Sequence, residues 1–425
     1  MNRIDQLKKL QLEEESHAID FDFVRECAES ILDELIIWSN QNVFSNIGGE
    51  LTFELKLGAP NAGVTYKSFT PLRPVIVIYH SLLTEIYMDA RVFPIISKRL
   101  VAGSDMLAFQ EEEPWKGLPF VFSTGVPKLL ASHVNPRLSA ICEEFVSAYE
   151  TESAGMFNSS DARCRFIMFE LMLVWIFFHE LGHVVQQHYL LRVPSAGAEK
   201  VDVFLEIPDS VAGTDCMADT AVLSETADLA SQSRELMADA EAIDLTLKYL
   251  GRSNRLCFEV VYLLYCSISC MYQRFYRHYA ESLHVTGQSH PHPALRQEVS
   301  EAFLTLSIVR NITSMEQSEN RESARLIVAY HTARSAIFTG LFRSLRIEER
   351  TAESELPSYM RLLVNEEHQA DLHRCLERLA PFVEAQIAKV REWHLMPEKN
   401  CVEEWLSGFN VLRHNRAEMA KTASH

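Results

Sequence analysis

The chain is short of positive charge: 40 Lys and Arg stand against 58 Asp and Glu, a net charge of −18 over 425 residues. Such an acidic body repels phosphate backbones and anionic headgroups, which disfavours nucleic acid and membrane surfaces as main partners. The nine cysteines are scattered and contain no C-x-x-C pair. An odd, unpaired set speaks for free thiols in a reducing compartment and against a disulfide scaffold. Long apolar runs are missing as well. Phe166–Phe178, interrupted by Glu170, and Val260–Tyr272 fall short of the roughly 18–20 residues that span a bilayer. The opening stretch MNRIDQLKKLQLEEES has no apolar centre of the kind a secretory signal needs. Repeats and low-complexity tracts are absent. These absences together predict a cytoplasmic protein that is neither secreted nor embedded in a membrane.

What is present is ordinary globular composition, 47% hydrophobic and 23% charged, in a chain long enough for two or three domains. Phe21, Val24, Cys27, Ile31, Leu35 and Trp38 recur at helical spacing, so residues 1–47 read as helical. The stretch 50–125 reads differently. Leu51–Leu57 alternates, Pro74–Tyr79 is a β-branched run, and Phe120–Phe122 follows a Gly-Leu-Pro turn signal. Three or more short strands are expected there. From about residue 135 the pattern is helical to the end, apart from a Pro- and Gly-containing loop at 191–222 with one candidate strand, Val201–Ile207. The fold class is α+β and mostly helical. Three regions are expected: an N-terminal α/β part at 1–145, a central part at 146–310, and a helical C-terminal part at 311–425 that packs without chemistry of its own.

The informative string lies in the central part: Trp175-Ile-Phe-Phe-His179-Glu180-Leu-Gly-His183. Histidines at i and i+4 share one helical face, so two imidazoles can bind one ion, and Glu180 lies beside its open position. A zinc ion there would acidify its water, and Glu180 would take the proton as general base. In a chain with 16 histidines the string by itself can arise by chance. Its apolar setting argues otherwise, because buried imidazoles and a buried carboxylate are costly without a partner.

A catalytic zinc usually has a third protein ligand. The pattern with Gly and His at the third and sixth positions after His183 is ruled out by Gln186 and Tyr189. His188 is turned away from the ligand face and is expected in solvent or behind a ligand. The next candidates are Glu235 and Asp239 in Ser233-Arg-Glu-Leu-Met-Ala-Asp-Ala-Glu241, on a helix that should stop near Gly251. One carboxylate can bind the ion while the other orients a ligand histidine. Either of the two can be the ligand and the other the orienting group, with Glu241 and Asp244 as fallback ligands.

H-E-L-G-H followed by E-L-M-A-D resembles the gluzincin metallopeptidases whose third ligand is a glutamate, above all the clan of the CAAX prenyl protease and heat-shock protease X. A later His290-Pro-His-Pro-Ala-Leu-Arg296 keeps the H-P-x-x-x-x-R spacing of that clan. The resemblance covers about 165–300 and rests on three short motifs in order. It implies that Glu235 is the third zinc ligand with Asp239 orienting a ligand histidine, that His290 steadies the substrate carbonyl as negative charge develops, and that Arg296 braces the active-site helix or the substrate. His292 is an alternative to His290. Without membrane helices, prenylated or membrane-embedded substrates do not carry over. Soluble bacterial peptidases are the nearer analogy, among them the phage-exclusion peptidases of the Lit type and those that cleave phage-type repressors.

The expectation is a zinc endopeptidase of narrow range acting on a cytoplasmic protein or peptide, in a regulatory, stress or phage-defence setting. The N-terminal strands would bind substrate by edge addition and the 191–230 loop would wall the cleft. The alternatives are a helical interaction protein with an inert metal and a metal-dependent hydrolase of small molecules.

Overall fold

The computed structural model describes residues 21–102, 128–152, 159–191, 204–206, 225–276, 283, 290–315, 366–396 and 401–423. In chain order they form α1 (Phe21–Ser39), β1 (Thr52–Lys56), β2 (Ala62–Phe69), β3 (Leu72–Tyr79), α2 (His80–Ala102), α3 (Ser139–Glu152) and α4 (Ser159–Val185). These are followed by β4 (Phe204–Glu206), α5 (Glu225–Arg252), α6 (Phe258–Tyr276), α7 (Pro293–Met315), α8 (Glu366–Trp393) and α9 (Val402–Ala423). The architecture is mostly helical with one small sheet.

The sheet runs β1-β3-β2-β4. β1 lies parallel to β3, with Phe53 opposite Ile76, whereas β2 pairs antiparallel with both β3 and β4. β3 is central and reads as an unbroken buried run from Pro74 to Ile78, as a strand covered on both faces should. The strand β2 is an addition to the sequence expectation. Its Ala-Gly start weakens the alternation, and pairing rather than propensity makes it a strand. Phe120–Phe122 lies outside the described residues. Of the strand expected at Val201–Ile207, Phe204–Glu206 is described and pairs with β2.

α4 is the axis of the molecule. From Asp161 to Val185 every residue except Arg163 is buried, and α1, α2, α3, α5, α6, β2 and β3 all pack against it. A helix apolar all round needs neighbours on every side, which is why its sequence shows no polar stripe. Glu170 is held inside this packing by Arg255, whose two terminal nitrogens reach its two oxygens at 2.6 and 2.5 Å, by Asn135 at 2.9 Å and by Tyr249 at 3.0 Å. The buried charge is thereby paired and hydrogen-bonded, as it must be to be tolerated. Cys266 and Cys270 are buried in α6, and none of the eight described cysteines is joined in a disulfide.

One hydrophobic cluster runs from Val24 through the central helices to Leu412, so all three expected regions contribute to the same core. The C-terminal helices do more than pack. Just past α8, the Leu395 N–H donates to the Val185 carbonyl at 2.9 Å, satisfying an otherwise orphaned group at the end of α4. No helix among the described residues is long and apolar enough to cross a membrane.

Candidate metal centre

His179, Glu180 and His183 lie in the last turns of α4, and Glu235 and Asp239 lie one turn apart on α5, which packs along it. Gly182 sets how closely the two helices approach. A Cβ built there would stand 3.1 Å from the Ala238 carbonyl oxygen, 3.3 Å from Ala238 Cα and 3.1 Å from Glu241 Cβ. The glycine of H-E-L-G-H is therefore a packing residue that lets α5 bring its carboxylates up to the histidines.

The two Nε2 atoms of His179 and His183 face each other at 3.2 Å. Glu235 closes the triangle, with Oε2 at 3.3 Å from His179 Nε2 and Oε1 at 3.6 Å from His183 Nε2. Donors bonded tetrahedrally to an ion at about 2.0–2.1 Å stand roughly 3.3 Å apart, so the three could hold one metal ion between them. All three side chains are buried.

The protonation pattern agrees. His179 Nδ1 lies 2.9 Å from Asp239 Oδ1. Burial would raise the Asp239 carboxyl, but Arg296 beside it, with hydrogen bonds from Arg296 and His179, holds it below its ordinary range. Asp239 is then an acceptor, the His179 proton sits on Nδ1, and the Nε2 lone pair points to the centre. On His183, Nδ1 lies 2.8 Å from Nδ1 of His188. Burial, with His183 and Arg234 adding to it, pushes His188 well below its ordinary value, so it is neutral and able to accept that proton. Two imidazole lone pairs and a carboxylate aimed at one point repel each other unless a cation lies between them. For Glu235, burial pulls upward, yet His290 and His183 together with the ligand hydrogen bonds hold it well below the carboxylate range. The donor set fits a divalent metal ion.

The remaining expected residues fall around this triangle. Glu180 is buried on α4 beside His179. His290 brings Nε2 to 3.4 Å from Glu235 Oε2 and keeps 15% side-chain exposure, so it borders the centre from the open side. His292 is buried, and its Nδ1 accepts the Ala294 N–H at 3.1 Å, which caps α7 where Pro293 takes the first helical position. The helix cap and the site motif are thus the same segment. Arg296, one turn into α7, is buried and grips both Asp239 oxygens at 2.8 and 2.9 Å while its guanidinium lies 5.1 Å from the Tyr272 ring centre. It braces the orienting carboxylate of α5, and through it His179.

Of the two places expected for His188, solvent or behind a ligand, the structure shows the second: it is fully buried behind His183. Neither Glu241 nor Asp244 takes part in this centre. Glu241 Oε2 is occupied by Gln186 Nε2 at 3.0 Å, His394 Nε2 at 3.1 Å and Cys401 Sγ at 3.3 Å, and Asp244 pairs with Lys248. The sequence carried no signal for the contribution of His394 and Cys401, since they reach α5 from the C-terminal helices. Comparison with protein-family models, with curated proteins and with solved structures finds no match to this chain.

Proposed function

We propose that the protein is a zinc-dependent endopeptidase of gluzincin type that cuts a protein or peptide substrate. The observation that supports it most is the triangle of His179 Nε2, His183 Nε2 and Glu235, whose three donors would leave a fourth position for chemistry, with Glu180 next to His179 on the same helix. A structural zinc site would close that fourth position and have no use for an adjacent base.

A bound zinc ion would polarise the scissile carbonyl and acidify a water molecule next to it. Glu180 would serve as the base that takes a proton from the attacking water and returns it to the departing amide nitrogen. His290 donates a hydrogen bond to the carbonyl oxygen as negative charge builds there, where a placed donor is worth most. Asp239 and His188 hold the ligand imidazoles in one tautomer, and Arg296 holds Asp239. β1 and β4 are the terminal strands of the sheet, and β2, which packs on α4, carries β4. An extended substrate would add to such an edge, main chain to main chain.

The test is the pair Glu180→Gln and His183→Ala, examined by metal analysis and by trapping of substrate from host lysate. Glu180→Gln should retain the zinc, hold the substrate and lose hydrolysis by about 10²–10⁴-fold, the usual contribution of a general base. His183→Ala should lose the zinc. A purified protein without metal, or a Glu180→Gln enzyme that still cleaves, would sink the proposal.

A further inference from the structure

A second group of metal donors lies apart from this centre, where the turn Ala131–His133 meets the start of α6. His133, Cys257 and Glu259 each offer a ligand atom, and the three atoms lie within 4.8 Å of one another. All three residues are partly exposed. We propose that His133, Cys257 and Glu259 form a second, sulfur-containing site for a borderline divalent cation such as zinc, distinct from the His179–His183–Glu235 centre.

The donor chemistry supports it. Imidazole, thiolate and carboxylate are the three side-chain ligands zinc takes, and three of them leave a fourth position for water. Cys257 is the N-cap of α6, its carbonyl accepting the Val261 N–H at 2.9 Å. Its sulfur stands against the backbone of Glu259 and Val260 and the side chain of Glu259, so thiol and carboxylate already lie together at the start of the helix. His133 lies on the turn facing them, and its ring offers a nitrogen to the same point. Its Nδ1 accepts the Leu130 N–H at a long 3.3 Å, a bond weak enough for an ion to displace.

The two halves of the site are also fixed before any ion arrives. Arg255 Nε donates to the His133 carbonyl at 3.0 Å, and the Cys257 N–H donates to the Arg255 carbonyl at 3.0 Å. The two neighbouring guanidiniums are each engaged with a carboxylate, Arg255 with Glu170 and Arg163 with Glu143. The group Glu241, Asp244 and Cys401 lacks these features: the Glu241 oxygen already takes three hydrogen bonds and Asp244 is held by a lysine ammonium. An ion between His133 and α6 would staple the turn onto the element that anchors Glu170 of α4.

Cobalt(II) titration of the full-length protein separates the two sites, because only the second contains sulfur. The wild-type protein should bind about two equivalents and develop a thiolate-to-cobalt charge-transfer band. Cys257→Ser should lose the band and about one equivalent, and serine is a good N-cap, so α6 stays capped. His133→Ala should weaken the same band. His183→Ala should lose the other equivalent and keep the band, whatever the enzyme's activity. Absence of a band in the wild type, a band that survives Cys257→Ser, or a band lost in His183→Ala would each overturn the proposal.

Discussion

His179 and His183 present their Nε2 atoms to one point because each Nδ1 is committed elsewhere, to Asp239 at 2.9 Å and to His188 at 2.8 Å. Removing such a partner leaves the ligand in place but frees its ring and tautomer. Asp239→Asn should therefore lower metal affinity by about 10–100-fold, as loss of an orienting group generally does. Competition against a chelator of known affinity measures it, and an unchanged affinity would show that His179 is oriented by something other than Asp239. The same substitution removes the charge that Arg296 pairs with, so part of the loss is a buried guanidinium left without its counter-ion. Sequence spacing put Glu235 and Asp239 one turn apart as a candidate ligand and orienting group, and the structure brings both carboxylates to His179. Sequence left His188 in solvent or behind a ligand, and the structure decides between them, since past the end of α4 the chain direction depends on a left-handed Gln187 that no periodicity announces.

At the scale of elements, the centre depends on the contact between α4 and α5. Two of the three atoms that a Cβ at Gly182 would meet belong to the backbone of Ala238, which cannot rotate away as a side chain would. Gly182→Val should cost about 1–3 kcal/mol by overpacking. It should also weaken metal binding, because α5 moves outward and carries Glu235 and Asp239 with it. Denaturant unfolding and metal titration of the same variant report the two effects, and a stable variant with unchanged metal affinity would show that the helices have room. The other end of α4 is anchored by Glu170, Arg255, Tyr249 and Asn135, a buried network drawn from three separate segments. Pattern reading placed Glu170 only as an interruption in an apolar run. Its partners are long-range contacts, invisible to local periodicity.

Across the whole molecule, the C-terminal helices complete the site region that the sequence reading left to the central part alone. His394 and Cys401 both reach Glu241, and the Leu395 N–H closes the end of α4. Burial works against the Glu241 carboxylate, but His394, by charge and by hydrogen bond, Gln186 and Lys248 together depress it below its ordinary range. A carboxyl depressed in the folded state contributes stability that is fully present above its unfolded pKa, about 4.3, and lost as pH falls through the lower folded value. The protein should hold its stability down to about pH 4–5 and lose it steeply below. Glu241→Gln should be less stable at neutral pH and show a flatter acid limb in denaturant unfolding followed against pH. An acid limb of unchanged slope would mean that other carboxylates carry the dependence.

By itself, the sequence determined the helical register of His179, Glu180 and His183 and the pairing of Glu235 with Asp239. It also determined the apolar length that makes α4 a buried axis. These are local properties, set by a 3.6-residue period and by the cost of burying polar groups. The tertiary structure alone decided that Glu241 is taken up by Gln186, His394 and Cys401, that Gly182 admits α5, and that Arg296 grips Asp239. It also decided that His133 meets Cys257 and that the last helices close the end of α4. Each of those depends on how separate helices are docked, and docking is set by the packing of the whole core rather than by any one stretch of chain.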